Sequence, residues 1–307
     1  MLTLSEYFQS IFGGRVLKIP ISAALGCPNR SAGRGCIYCD NSSFVPGYCT
    51  GRISEQLRKG MEFFGRKGAP SGYLAYFQSG TNTFGRTEDL IPLYEEALGV
   101  PGTLGLVIAT RPDCLAPSLM DYFEERFGGI APAGHPYLLV EIGVESTNDD
   151  TLRLIGRGHT FACAAKAVRD LAARGIAVGA HLIVGLPGED EEDFIAHAER
   201  ISALPVSTLK LHQLQILKGT PLSESYLSDT TSIRLQSPAE YARNVARMLR
   251  VLRKDIALDR FVSEAPKDKI IAPAWGIKPG AFNRILESEL LSLDVLDNGC
   301  LGGILHD

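Results

Sequence analysis

Two things are scarce in this 307-residue sequence: uninterrupted hydrophobic stretches and an imbalance of charge. No apolar run approaches the roughly 18 residues a membrane-spanning helix needs, so no membrane span is expected. Lys and Arg number 31 against 35 Asp and Glu, a net charge of −4, so no global basic field marks a nucleic-acid binder. A local basic patch remains compatible with that total. The first fourteen residues, MLTLSEYFQSIFGG, carry Glu6 and lack a basic start and a small-residue cleavage site. They do not read as an export signal, and a cytoplasmic protein is expected. There is no repeat of fixed spacing and no low-complexity tract. Together these absences exclude fibrous, disordered, secreted-miniprotein and integral-membrane classes.

What is present is a large apolar fraction, 45%, with 21% charged residues. That suffices for a core without disulfide or metal staples. Apolar, β-branched runs at 15–21, 73–78, 104–110, 137–144, 176–184 and 208–217 read as six strands. Helical patterns near 54–66, 88–98, 117–127, 161–174 and 191–204 alternate with them. In the fourth helix Ala164, Ala167, Val168 and Leu171 share one face. Thr87 is the expected N-cap of the second helix, ahead of Glu88 and Asp89, and Gly175 is the expected stop after residue 174. Strand–helix alternation with nearly continuous apolar strands implies a parallel sheet covered on both faces. A partial (β/α)6 TIM-like barrel and a doubly wound sheet both fit that pattern. After about residue 230 the pattern changes. Ser237-Pro238-Ala239-Glu240 reads as a capping box with Pro at the first helical position, opening a helix to about residue 254. A last amphipathic helix is expected near 282–293. Residues 1–234 are therefore read as the α/β barrel, and 235–307 as a C-terminal helical extension packed on it.

Three of the seven cysteines, Cys27, Cys36 and Cys39, fall within thirteen residues directly after the first strand. In parallel α/β folds the loops after strand C-termini carry the chemistry. Two thiolates separated by two residues reach one metal centre, and the loop back to Cys27 contains Pro28, Asn29, Gly33 and Gly35, enough flexibility to wrap a bulky group. Three readings compete: unrelated cysteines, a closed four-coordinate zinc site with Cys49 as fourth ligand, and an iron–sulfur cluster held by three cysteines with one iron open. Read from the thiols alone, an iron–sulfur or zinc scaffold without turnover is also possible.

The wider sequence sharpens the choice. The segments KIPISAALGCPNR, GRGCIYC, YFQSGTNTFG, ATRPDCL, EIGVEST, GRGH, HLIVGLPGE, KLHQLQILKGTPL and IAPAWG follow one another along nearly the whole chain. In this order they resemble the radical S-adenosylmethionine (SAM) superfamily and, within it, the YhcC-type branch. That branch is related to the elongator catalytic subunit and to oxygen-independent coproporphyrinogen oxidase. The first cysteine gap is longer than the superfamily's common C-x3-C-x2-C.

The resemblance implies a partial barrel, a [4Fe–4S] cluster on Cys27, Cys36 and Cys39, and SAM chelated to the fourth iron. Tyr38 would pack beside the cofactor, or simply fill the loop. Gln78, Ser79, Gly80, Thr81 and Asn82, after the second strand, would take the methionyl end, with Gly80 and Thr81 at the contact. Glu141 and Glu145, four apart on one strand, are expected to face the barrel mouth together. Glu145 would read the ribose, and Arg157 the SAM carboxylate through its bidentate fork. His181 stands where relatives often carry an acidic residue. It is either a ribose neighbour or a core histidine. Gly185-Leu186-Pro187-Gly188 would shape the adenine pocket, with Leu214 as adenine neighbour, while His212 and Gln215 would face cofactor or substrate. Ala109 replaces a Glu seen in elongator-type relatives, and Arg111 with Asp113 is expected to form a structural turn. Cys49, Cys114, Cys163 and Cys300 read as packing residues.

The implied reaction is reductive cleavage of SAM to a 5′-deoxyadenosyl radical that abstracts hydrogen from a substrate, with a flavodoxin- or ferredoxin-like electron donor. Two substrate classes are open: a tRNA wobble uridine, or a small molecule or protein partner. Arg15, Lys18, Arg30, Arg34, Arg52, Arg58 and Lys59, near the first strand and the cysteine loop, are the candidate RNA-facing cations.

Overall fold

A computed structural model describes residues 1–33, 35–68, 70–128, 135–229, 233–262 and 265–293. Cys300 and Arg34 lie outside the described residues. The chain runs α1 (Leu4–Phe12), β1 (Val16–Ile21), α2 (Pro28–Ser31), α3 (Ile53–Phe64), β2 (Gly72–Phe77), α4 (Thr87–Leu98), β3 (Thr103–Thr110), α5 (Pro117–Phe127), β4 (Tyr137–Glu145), α6 (Asp149–Leu154), α7 (Phe161–Ala173), β5 (Ala177–Val184) and α8 (Glu191–Ser202). It continues through β6 (Thr208–Gln213), β7 (Ile216–Leu217), α9 (Pro221–Leu227), α10 (Pro238–Val251), β8 (Ala257–Leu258), β9 (Ile270–Ala272) and α11 (Pro279–Ser292).

Seven strands form one parallel sheet in the order β1-β2-β3-β4-β5-β6-β8. Each strand neighbours the next in sequence, with no reversal of direction across the sheet. A doubly wound fold has such a reversal, so the architecture is the α/β partial barrel. The expected sixth strand divides. It leaves the sheet at Leu214–Gln215, and β7 then pairs antiparallel with β9. The seventh strand, β8, is an addition from beyond residue 235 and extends the sheet beside β6.

The central strands β2, β3, β4 and β6 are buried along almost their whole length, which is why they read as continuous apolar runs rather than alternating ones. Phe77 of β2, Tyr94 of α4 and Phe123 of α5 show the packing. All three are fully buried, and the ring centroids lie 5.4 and 6.0 Å from Tyr94. Each such side chain contributes roughly 1.5–3 kcal/mol by leaving water.

Local signals mostly act as expected. Gly175 adopts φ 73° directly after the C-cap of α7. The Ser237 capping box is formed in full. Thr87 is not a cap. Arg86 occupies that position, and the Thr87 hydroxyl instead meets Ser118 Oγ at 2.7 Å. The acidic pair Glu88 and Asp89 still faces the positive helix start. Helix α10 packs on α8 and α11, and Trp275 stacks on Phe282 of α11 at 5.8 Å. At the other end, Thr3 pairs with Leu258 of β8, and α1 touches both β1 and β8. No helix among the described residues is long and apolar enough to cross a membrane.

Candidate active site

The C-terminal ends of the strands surround a cavity of about 230 Å³. Cys27, Cys36 and Cys39 line one side, and Tyr38 stands between the last two. Gln78, Ser79, Gly80 and Thr81 enter from the turn after β2, Glu145 and Arg157 from the end of β4 and the turn after α6, and His181 from β5. Leu214 closes the far wall. Neither the Gly185-Leu186-Pro187-Gly188 turn, expected to shape the adenine pocket, nor Asn82 lines this cavity. Asn82 is fully buried, and its amide nitrogen donates to the backbone carbonyls of Phe77 and Ala109 at 2.9 and 3.0 Å. It ties the ends of β2 and β3 together one layer behind the wall.

The loop geometry depends on glycine at Gly80. Its φ is 87°, and a Cβ there would stand 2.7 Å from the Leu25 carbonyl. Gly80 thus lets the turn after β2 lie against the start of the cysteine loop. Burial alone would raise the Cys27 thiol. The Thr81 hydroxyl, the backbone N–H groups of Asn29 and Arg30 and the charge of Arg111 outweigh that and hold it below its ordinary value. Burial, then the neighbouring Cys36, push Cys39 up to about 11. Among the described residues no group of three His, Cys, Asp or Glu side chains is arranged around a single metal ion. Three cysteines line the cavity, and a closed structural zinc site takes four ligands, so the trio suits a cluster with one open iron better than zinc. Cys49 does not join them. Its Sγ lies 3.5 Å from the Pro20 carbonyl, and it does not line the cavity.

Arg157 connects the thiols to the strand ends. Its Nη1 lies 3.6 Å from Cys36 Sγ, its Nη2 donates to the Gly143 carbonyl at 2.7 Å and pairs with Glu145 at 3.3 Å. Burial would weaken its charge, but Tyr38, Glu145 and Cys36 more than offset this and keep the guanidinium protonated. Gly143 makes room for the pair, since a Cβ there would meet Arg157 Nη2 at 2.5 Å and Glu145 Oε1 at 2.6 Å. Glu145 itself has φ 68° at an irregularity in the β4–β5 register. Four buried polar atoms from cavity-lining residues have no partner among the described residues: Arg111 Nη1, Arg157 Nε, Gln215 Oε1 and Arg260 Nε. Such groups are costly to bury unless a ligand satisfies them.

Arg111 and Asp113 form the expected turn pair, bidentate at 2.9 and 2.8 Å, and Arg111 also donates to the Arg157 carbonyl. Gly185 and Gly188 take φ 94° and 87° in the Gly-Leu-Pro-Gly turn, and Leu186 is buried. The following Glu189 turns inward to His197, 3.0 Å away, whose Nδ1 meets Thr147 Oγ1 at 2.7 Å. This is framework rather than cavity.

The floor of the cavity holds a network that sequence reading did not foresee. Glu141 faces the cavity with Glu145 as expected, but its partners are two lysines, a histidine and a tyrosine. Lys210 lies 3.0 Å from its Oε2, Lys18 3.4 Å from its Oε1 and His181 2.9 Å from its Oε2, while Tyr76 donates to it at 2.7 Å. Asp259, just after β8, joins both lysines at 2.5 and 3.1 Å. His181 is therefore a member of a buried network and a cavity neighbour at once. Lys18 is not an RNA-facing surface cation. Its ammonium points into the barrel, because inward-facing Glu141 and Asp259 neutralise it there. Among the other candidate cations, Arg52 pairs with Glu96, and Arg30 donates to the Cys39 carbonyl at 2.7 Å. Arg15, Arg58 and Lys59 are exposed.

The comparisons agree with this geometry. The Radical SAM superfamily profile matches residues 21–201, and the Radical_SAM C-terminal domain profile matches 206–290. Uncharacterized protein YtqA of Bacillus subtilis is 32% identical over 93% of this chain and 89% of its own length. Protein YhcC of Escherichia coli is 32% identical over 86% of this chain and 84% of its own. A shorter match, 30% identical over 39% of this chain and 25% of the other protein, is to a tRNA uridine(34) acetyltransferase of Dehalococcoides mccartyi. In fold, the archaeal Methanocaldococcus infernus Elp3 superposes with a TM-score of 0.69 at 18% identity, over 92% of this chain and 64% of that one. A cavity edged by three thiols at the mouth of a parallel partial barrel, in a sequence that matches from residue 21 to residue 290, leads to one assignment: the chain belongs to the radical SAM superfamily, on its YhcC-type branch, and is an enzyme of the kind that works with a [4Fe–4S] cluster and SAM.

Proposed function

We propose that Cys27, Cys36 and Cys39 hold the cluster and that the strand ends opposite them hold SAM. The observation that carries this reading is the convergence of the three thiols, the Arg157–Glu145 pair and the unpartnered Arg157 Nε on one cavity. Arg157 binds the SAM carboxylate, and Glu145 accepts from the ribose hydroxyls. Gln78, Ser79, Gly80 and Thr81 line the methionyl end, Tyr38 packs against the cofactor, His181 flanks the ribose and Leu214 covers the adenine. Asn82 acts one layer back, by fixing the turn that carries Gly80 and Thr81. Bound there, cluster and SAM would supply the radical chemistry, reductive cleavage of SAM coupled to hydrogen abstraction from the substrate, with electrons from a flavodoxin- or ferredoxin-like donor. The protein's own part is to orient the carboxylate and ribose and to keep water out of the cavity.

The substrate reading has two branches. A uridine of tRNA is supported by the partial relationship to a tRNA uridine(34) acetyltransferase and by exposed Arg15, Arg58 and Lys59. A small molecule is supported by the inward turn of Lys18 and by the polar floor of the cavity. We read the setting as reducing and cytoplasmic, since none of the six described cysteines is part of a disulfide.

Anaerobic reconstitution tests the cofactor reading. The protein should take up about four irons per chain and, with dithionite and SAM, release 5′-deoxyadenosine. Cys36→Ala should lose both. Turnover retained in that variant would sink the assignment. Comparing tRNA nucleosides from cells with and without the gene separates the branches. A change in one wobble nucleoside supports tRNA, and an unchanged set favours the small molecule.

A further inference from the structure

Among the described residues the buried network on the cavity floor holds more cations than anions. There Lys18, Lys210 and Arg260 face two carboxylates, Glu141 and Asp259, and both carboxylates are already engaged by the lysines. Arg260 forms no ion pair among the described residues. Its one side-chain contact is Nη2 to His212 Nε2 at 3.3 Å, and its Nε is buried without a partner. The histidines cannot be the missing anions. Burial, with the nearby cations, holds both His181 and His212 below the ordinary imidazole value, so they stay neutral. On the same cavity, Gln215 Oε1 is a second buried atom without a partner among the described residues, an acceptor that needs a donor. Arg260 also lines a second hollow of about 520 Å³, bounded by α1, β1 and the segment after β8. The guanidinium thus stands in a wall shared by the cofactor cavity and a groove open to solvent.

We propose that Arg260, with His212 and Gln215, is the substrate-reading end of this cavity and that the group it reads is an oxoanion, a carboxylate or a phosphate, carried beside a hydroxyl. The inference rests on the cofactor reading above only in taking the opposite wall as occupied by SAM. An arginine fork with a free edge matches two oxygens of one anion, which a lysine could not do in the same place. The adjacent hydroxyl satisfies Gln215. The surplus cation on the floor is then neutralised only when substrate is present, so the site discriminates against uncharged analogues.

The test uses cluster-reconstituted protein without SAM, at constant ionic strength balanced with chloride. Its thermal midpoint is followed against inorganic phosphate in one series and glycolate in the other. A ligand that binds only the folded state raises the midpoint saturably. The wild type should respond to at least one of the two. The phosphate series marks a phosphorylated substrate if it saturates first, and the glycolate series a hydroxy acid. In Arg260→Gln the half-saturating concentration should rise at least about tenfold, the loss expected for a charge-assisted hydrogen bond. Arg260→Lys, which keeps charge without the fork, should fall between, and it carries the test if the glutamine variant fails to retain its iron. No response above chloride in the wild type, or an unchanged half-saturation in Arg260→Gln, overturns the proposal. SAM affinity of the wild type is measured separately. Its absence would remove the cofactor reading while leaving the anion titration valid.

Discussion

Glu141→Gln is the sharpest probe of the barrel interior. The carboxylate is 2% exposed and holds Lys210 at 3.0 Å, Lys18 at 3.4 Å and His181 at 2.9 Å. The amide keeps the shape and a hydrogen bond with Tyr76 but leaves two buried ammonium groups to share Asp259. Removing one partner from a buried ion pair costs about 3–5 kcal/mol. Because Asp259 still engages both lysines, the lower end, about 3 kcal/mol, is expected. With a urea slope of about 3 kcal/mol/M the unfolding midpoint should fall by about 1 M. The pH dependence adds a second signature. Burial would raise the Glu141 carboxyl, but Lys210, Lys18 and His181 overcome it and hold the group well below the usual carboxylate range. A group depressed in this way stabilises the fold above its unfolded value, near 4.5, and that contribution is lost as pH falls toward the folded value. Wild-type stability should therefore decline below about pH 4.5 more steeply than that of the variant, which retains only the share from Asp259. Adding Lys210→Met should restore part of the loss, since the surplus cation goes with it. A midpoint change under 0.3 M, roughly 1 kcal/mol on the same slope, would refute the argument that Glu141 and Asp259 together neutralise the two lysines.

Two further outcomes follow from the loops. Gly80→Ala forces a side chain into φ 87° and against the Leu25 carbonyl, so it should cost about 1–3 kcal/mol and weaken SAM binding by calorimetry. An unaltered affinity would mean that the turn does not shape the cofactor wall. In the cluster-free protein at pH 8, Cys27 should be alkylated by iodoacetamide ahead of Cys39, because its thiol is drawn below the ordinary value while Cys39 is pushed up to about 11. Peptide mass mapping reads the order, and Cys39 reacting first would contradict the Thr81 and backbone contacts to Cys27.

The central strands were legible because they are buried on both faces and so appear as unbroken apolar runs. The cysteine trio and the glycine at residue 80 were legible because their chemistry is local. What was hidden was long-range. Lys18 sits in an apolar strand and looks like a surface cation, yet its partners are 123 and 241 residues away. Asp259 and Arg260 follow a strand of only two residues, too short to leave a periodic signal. Thr87 looked like a helix cap because the residue type favours that position, but the chain places Arg86 there and gives the hydroxyl to Ser118. The inward turn of Asn82 had no signal either, since a polar residue in a turn after a strand can face either layer.

The clasp of Thr3 onto Leu258 has a consequence for how the chain comes off the ribosome. The segment at Thr3 must wait for a partner some 250 positions later before the seam beside β1 is covered. Until β8 has been made that flank is bare. Chaperone occupancy, and the damage done by a bulky amino-terminal fusion, should both concentrate on that late-closing edge.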